Sequence, residues 1–180
     1  ISIVGVALGV VLVVLFTGLA RGMTNEMAKR ATNWKAEIVF TRPGGMDMTS
    51  STLNVSTAYV ERLNAIEGVQ ATTPVGRYIT PSTKGRFGIQ QLDGVEWEAF
   101  AAMNGMQMIE GRPPRTTDEV ILDERQMLDD NVKLGDTVEL FGKKPYKVVG
   151  VFSPPSGARI KLSLAAMQET LEAEGKCTYI

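Results

Sequence analysis

The chain has 180 residues, of which 44% are apolar, and a formal net charge of −1 with its basic residues scattered along the sequence. Such a balance offers no electrostatic footprint for a phosphate backbone, so no nucleic-acid partner is expected. Histidine is absent, which removes the usual general base and the commonest metal ligand, and the single cysteine, Cys177, allows no disulfide within the chain.

Residues 1–20 form an almost wholly apolar run. As a helix, about twenty residues cover the ~30 Å hydrocarbon core of a bilayer, which favours a membrane span. Two alternatives remain open: a signal peptide cleaved near Gly18-Leu19-Ala20, and a helix buried in a soluble core. The run is longer than the roughly 7 to 15 residues of a signal-peptide core. Gly5 and Gly9 form a small-xxx-small step, which predicts close packing with another membrane helix.

The residues after the apolar run continue a helical pattern. Met23, Met27, Ala31 and Trp34 recur at spacings of four, four and three, without an intervening proline. This periodicity predicts that the helix runs on past the bilayer as a stalk with these four residues on one face. Residues 1–35 are therefore interpreted as one unit.

Residues 36–110 read as a first α+β part. A short strand is expected at 37–41, followed by an amphipathic helix that Ser56 or Thr57 caps and Gly68 ends. The segments on either side of residues 82–85 suggest an antiparallel pair of strands. A short helix at 96–102 and a strand at 106–109 complete a β-α-β-β-α-β-like order.

The pattern of apolar and turn residues changes at Gly111. Residues 111–153 predict a small β-rich subdomain with strands at 119–122, 137–141 and 146–152 and a short helix capped by Asp123. Residues 154–180 are interpreted as a return segment whose last helix begins at Ser163 and ends at Gly175. The predicted fold class is α+β, with an N-terminal transmembrane and stalk helix.

Residue patterns typical of catalysis are missing from the sequence. Gly142-Lys143-Lys144 lacks the spacing and the hydroxyl of a phosphate-binding loop. Cys177 has no activating neighbour, so it is interpreted as incidental. Helix capping and solvent exposure explain the acidic side chains better than a metal site does. These side chains are Asp118, Glu119, Asp123, Glu124, Asp129 and Asp130. We therefore expect no enzyme activity, cofactor or metal.

The order of the parts resembles a known family. The opening "GVALGVVLVVLFTGLARGM", the "EGR" at 110–112, the "DEVIL" at 118–122 and "KLGDTVELFG...YKVVGVF" together resemble the MacB-like periplasmic core domain of ABC-transporter permeases. This group includes macrolide exporters, lipoprotein-releasing permeases and FtsX-like division proteins. Because the chain begins at Ile1 and stops at Ile180, just after an expected helix, it is interpreted as a fragment.

The resemblance implies a permease subunit in the bacterial cytoplasmic (inner) membrane, with the residues after the first helix outside the cytoplasm. It implies a porter-like α+β domain interrupted by the β-rich subdomain. The implied partners are an ABC ATPase, a second permease subunit in a homo- or heterodimer, membrane lipid, and a periplasmic adaptor or lipoprotein. The alternative function is a secreted or membrane-tethered binding module whose first helix is only a signal or tether.

Overall fold

The computed structural model describes residues 2–33, 35–42, 52–81 and 89–180. The helices there are α1 (Ser2–Thr32), α2 (Tyr59–Asn64), α3 (Trp97–Asn104), α4 (Glu124–Asp130) and α5 (Leu164–Thr170). The strands there are β1 (Val55–Ser56), β2 (Val75–Pro81), β3 (Ile89–Val95), β4 (Gln107–Gly111), β5 (Glu119–Asp123), β6 (Thr137–Leu140), β7 (Lys144–Ser153), β8 (Ile160–Ser163) and β9 (Lys176–Cys177).

Helix α1 carries the apolar run. Ile3–Glu26 is long and apolar enough to cross a membrane, and the 18-residue window that defines this span is not buried in the protein. An exposed apolar helix of this length is stable where lipid covers it. Because its 24 residues cover about 36 Å as a helix, the end of the segment lies beyond the ~30 Å hydrocarbon core.

Seven strands of the described chain form one mixed sheet. Six lie in the order β2-β3-β8-β5-β7-β4, and β6 pairs with β7. The β3–β8 and β5–β7 pairs are parallel, and the others are antiparallel. Strands from 36–110, 111–153 and 154–180 therefore share this sheet, and the proposed subdomain boundaries stay a prediction.

Apolar side chains cover both faces of the sheet. On one face, Leu92 and Leu162 pack with Met167 of α5. On the other face, Ile121 and Phe152 pack with Phe100 of α3. This two-layered burial places the sheet between α3 and α5, which is the α+β arrangement expected from the sequence.

Several predicted elements are confirmed in this architecture. β2 and β3 form the expected antiparallel pair, and α3, β4, β5, β6 and β7 lie where their patterns indicated. Asp123 Oδ1 accepts a hydrogen bond from the backbone N–H of Gln126, which caps α4. Ser163 Oγ accepts from the N–H of Ala166 and caps α5.

Other predictions were wrong. Residues 37–41 form no regular strand, because only Phe40 exchanges backbone hydrogen bonds there, with Ile180. α2 begins after Ala58 without a side-chain cap, ends at Asn64 before Gly68, and buries none of its residues. α5 ends at Thr170, before Gly175. The turn expected at 82–85 lies outside the described residues.

Candidate functional site

Glu26 connects α1 to the folded domain. Arg159 Nη2 donates to Glu26 Oε1 at 2.7 Å, and Arg125 Nη1 donates to Oε2 at 2.9 Å. The side chains of Glu26 and Arg159 are 22% and 15% exposed. Charge-assisted hydrogen bonds in a partly shielded setting are stronger than those of an exposed surface pair. The carboxylate therefore anchors the helix beside α4 and the loop before β8.

A second group of contacts follows at the end of α1. Asn33 Nδ2 donates to the carbonyl oxygen of Pro155 at 2.8 Å. The backbone N–H of Lys35 donates to Asn104 Oδ1 at 3.4 Å, and the Lys35 ammonium lies against Gly105. Because Asn104 and Gly105 close α3, this cation lies where the helix dipole favours positive charge.

Residues 154–159 are called here the docking loop. Pro155 and Arg159 of this loop contact α1, and hydrogen bonds with side chains of the sheet hold the loop in place. Asp93 Oδ2 accepts from the N–H of Ala158 at 2.9 Å. Lys161 Nζ donates to the carbonyl oxygens of Ser156 at 2.7 Å and Ala158 at 2.9 Å. Gly157 has φ +62, and a Cβ there would meet Asp93 Oδ2 at 2.6 Å. The loop therefore follows the surface of the buried charges closely.

The charges beneath the docking loop form a buried cluster. Arg77 Nε and Nη2 donate to the two oxygens of Asp93 at 2.9 and 3.2 Å, and Arg77 Nη2 also donates to Tyr179 Oη at 2.8 Å. Lys161 Nζ lies 3.7 Å from Asp93 Oδ2. The same ammonium lies 5.0 Å from the ring centre of Phe100. Cation–π contact and carbonyl acceptors together replace its hydration.

Burial and charge pull the pKa values of this cluster in opposite directions. Burial lowers the pKa of Lys161 to about 8, against the attraction of Asp93. Burial by itself would raise the pKa of Asp93, but the charges of Arg77 and Lys161 outweigh it and hold that pKa below its ordinary value. The cluster is thus a set of paired charges in the core that binds the docking loop to the sheet.

The sequence-predicted site residues have different surroundings. Gly5 and Gly9 lie on α1, where an added Cβ would meet nothing within 4 Å. Met23 is 56% exposed on the same helix. The side chains of Met27 and Ala31, and the whole of Trp34, lie outside the described part of the chain. The membrane-packing and stalk-face assignments stay predictions.

The acidic residues separate into local roles. Asp123 caps α4, and Asp118 accepts a hydrogen bond from the Thr116 hydroxyl. Glu119 is bound by Arg112, while Asp129 lies near Arg125 and Arg159. Within the described ranges, no three His, Cys, Asp or Glu side chains are grouped so as to hold a metal.

The sequence motifs that carry the family resemblance meet along β7. The N–H of Arg112, from "EGR", donates to Val149 O at 3.0 Å, and the N–H of Gly135, from "KLGD", donates to Val148 O at 2.8 Å. Gly111 has φ +76, and a Cβ there would collide with the backbone of Val149. These motifs therefore maintain a close backbone packing.

Sequence reasoning missed the charged residues that join α1 to the domain, called here the stalk junction, and those of the buried cluster. The stalk junction consists of Glu26, Arg125 and Arg159. For Glu26, the available signal was its position as the first acidic residue after the apolar run. For Lys161, no strand was predicted, and a lysine between Ile160 and Leu162 is ordinarily expected to face solvent. Pairing partners distant in sequence carry no local signal.

Comparisons with known proteins agree with this fold. The sequence profile of the MacB-like periplasmic core domain matches residues 1–179. The periplasmic region of MacB from Actinobacillus actinomycetemcomitans superposes with a TM-score of 0.57 at 19% identity, covering 78% of this chain and 70% of that chain. A domain of a protein described as a permease from Porphyromonas gingivalis superposes with a TM-score of 0.50 at 19% identity, covering 73% of this chain and 61% of that chain. No curated protein matches the sequence. From the profile match over nearly its whole length, the chain belongs to the MacB-like periplasmic core domain family of ABC-transporter permeases.

Proposed function

We propose that this chain is the first membrane helix and extracytoplasmic domain of an ABC-transporter permease subunit of the export or lipoprotein-release type. In this role α1 transmits motion driven by a cytoplasmic ATPase to the mixed sheet. The work is mechanical, and ATP hydrolysis takes place in a partner or fused ATPase. The proposed location is the bacterial inner membrane, with the domain on its outer side.

The contact that carries this proposal is the pairing of Glu26 with Arg125 and Arg159. It joins a continuous helix, apolar enough to cross a bilayer, to the domain at Glu26, the last residue of the apolar segment. A helix holds its length over many turns because each backbone carbonyl is bonded along the axis. Displacement of its membrane end is therefore delivered at the docking loop.

The same proposal assigns roles to the predicted surfaces of α1. Gly5 and Gly9 pack against another membrane helix, within one permease or across a homo- or heterodimer. Met23, Met27, Ala31 and Trp34 form the stalk face that meets the second subunit. Lipid surrounds the remaining apolar residues, and an adaptor or lipoprotein contacts the outer domain.

The test interrupts the helix two residues before its anchor, Glu26. Thr24→Pro removes a backbone donor and clashes with the preceding turn. In the complete permease with its ATPase, reconstituted in vesicles, we expect Thr24→Pro to abolish movement of a macrolide or a lipidated reporter protein while ATP turnover continues.

Thr24→Ala is the matched control, because among the described residues the Thr24 hydroxyl bonds only to the Ala20 carbonyl of the same exposed helix. It should transport at the wild-type rate. Full transport by the Thr24→Pro variant would contradict transmission through α1, and so would equal loss in both variants.

A further inference from the structure

Two carboxylates face the same pair of arginines at the stalk junction. Glu26 accepts from Arg159 Nη2 at 2.7 Å and from Arg125 Nη1 at 2.9 Å. Asp129 Oδ2, on α4, lies 3.9 Å from Arg159 Nη1 and 3.9 Å from Arg125 Nε. Glu26 belongs to the stalk helix and Asp129 to the domain, so only one of the two acceptors can leave with α1.

We propose that Asp129 is the alternative acceptor that takes over Arg125 and Arg159 when Glu26 withdraws, which makes stalk docking a releasable exchange of ion pairs. Asp129 is a positioning residue in this scheme, since it acts on the stalk only through the two arginines. The inference rests on the proposed transmission role, because it describes how that junction engages and releases.

Distance and exposure both fit an exchange. An N···O separation of 3.9 Å exceeds hydrogen-bond length by about 1 Å, which side-chain rotation alone can close. The side chains of Asp129 and Arg125 are 45% and 59% exposed, so they have room to rotate.

Charge explains why the domain carries a second acceptor. Arg159 is 15% exposed, and a shielded cation that loses its partner is strongly unfavourable. Asp123 lies 3.7 Å from Arg159 Nη1, but its Oδ1 also accepts from the backbone at the start of α4. Asp129 therefore lowers the energy of the undocked state. In the docked state its negative charge also repels Glu26.

The experiment measures the distance between stalk and domain. Spin labels are attached at Thr24→Cys and at Leu128→Cys, which replaces a side chain that is 80% exposed on α4. The 180-residue chain is placed in lipid nanodiscs, and the distance distribution is recorded by double electron–electron resonance. All variants carry Asn33→Ala, which removes the bond to Pro155 and raises the undocked fraction to a measurable level without changing a charge.

Removal of Glu26 and removal of Asp129 should move the equilibrium between docked and undocked chains in opposite directions. Glu26→Gln should raise the ratio of undocked to docked chains about two- to fivefold, the range expected for an exposed or part-exposed ion pair. Asp129→Asn should lower that ratio by a similar factor. Because the two acceptors compete, the effect of Asp129→Asn should shrink toward zero when Glu26→Gln is already present.

Glu139→Gln is the matched control, since it removes the same charge from an exposed position on β6 and should leave the ratio unchanged. An increase or no change with Asp129→Asn would overturn the exchange, as would an equal shift with Glu139→Gln. Near-UV circular dichroism verifies that each variant is folded. This experiment measures stalk docking and not transport. A Thr24→Pro result that contradicts transmission through α1 would therefore be distinguishable from a failure of the ion-pair exchange.

Discussion

Lys161 and Asp93 are completely buried, and Arg77 is 7% exposed. Three ionised groups in a core are tolerated only where each is paired and hydrogen-bonded. Here the carboxylate of Asp93 pairs with both cations, so its loss leaves two buried positive charges without their carboxylate. Loss of Lys161 leaves the two-bond Arg77–Asp93 pair intact.

We therefore expect Asp93→Asn to destabilise the domain by about 3–5 kcal/mol, and Lys161→Met to cost clearly less. Guanidinium unfolding of the detergent-solubilised chain, followed by the fluorescence of Trp97 beside Phe152, measures both free energies of unfolding. An equal or larger cost for Lys161→Met would show that the ammonium, and not the carboxylate, organises the cluster.

The burial of Lys161 was not predictable from its neighbours. Alternation with Ile160 and Leu162 places its side chain on the opposite face of β8 from theirs. That face is not exposed to solvent, because α3 lies on it and Phe100 contacts the ammonium. The capping role of Asp123, by contrast, depends only on residues three positions away and was predictable.

At the scale of elements, the connection between β4 and β5 is held by one ion pair. Arg112 Nη1 donates to Glu119 Oε2 at 2.8 Å, and its Nη2 binds the other oxygen. The N–H of Arg115 also donates to Glu119 Oε2 at 2.8 Å. These bonds connect the "EGR" and "DEVIL" motifs across the loop between the two strands.

Hydrogen bonds from the Arg112 side chain, followed by those from the backbone N–H groups of Arg115 and Thr116, outweigh burial and lower the pKa of Glu119 from its ordinary value of 4.5 to about 2. Because the folded-state pKa is the lower one, the stabilisation is complete above pH 4.5 and is lost as the pH falls toward 2. We expect the free energy of unfolding of the wild type to exceed that of Glu119→Gln by about 2 kcal/mol near pH 7. This difference should vanish toward pH 2.

Urea unfolding at a series of pH values measures this difference. Glu110→Gln is the control, since Glu110 is exposed on β4 and no bond to the 112–118 loop involves its side chain among the described contacts. A difference between wild type and Glu119→Gln that stays constant from pH 6 to pH 2 would contradict the assignment of the stabilisation to the ionised carboxylate of Glu119 and its donors.

Predictability among the elements follows the range of the interactions that form them. β6 and β7 were predicted because alternation and a local turn define a hairpin. β8 was missed because its four residues carry little pattern of their own and are ordered by β3 and β5 on either side. In the described part of the chain, the strand expected at 37–41 has no such neighbours along its length, and only Phe40 exchanges backbone hydrogen bonds there.

At the scale of the whole molecule, the last four residues connect several distant segments. Cys177 pairs with Val55 of β1, and Tyr179 exchanges backbone bonds with Val75 of β2. Phe40 exchanges two backbone hydrogen bonds with Ile180, at 2.8 and 3.0 Å. The side chain of Cys177 is completely buried, and this burial raises the pKa of its thiol to about 12.

The reactivity of Cys177 therefore reports whether residues 177–180 remain paired with the rest of the domain. Thiolate is the reactive form, so the raised pKa alone should slow reaction with a disulfide reagent about a thousandfold relative to the unfolded chain. The absorbance of the released chromophore measures the rate with and without guanidinium. The control, Cys177→Ser with Leu128→Cys, should react rapidly when folded. Folded and unfolded rates within tenfold of each other would show that the end of the sheet opens readily.

Glu26 and Asn33 are seven residues apart, which corresponds to about 10 Å along a helical rod. A rod held at one point can only pivot, whereas a rod held at two points also passes torque to its support. In the proposed transmission role, tilting of α1 becomes twisting of the sheet while both contacts are formed. In the proposed exchange, release of Glu26 leaves Asn33 and Lys35 as a pivot, and the same tilt becomes a free swing. Under these two proposals, the spacing of Glu26 and Asn33 determines whether the domain receives rotation or only displacement.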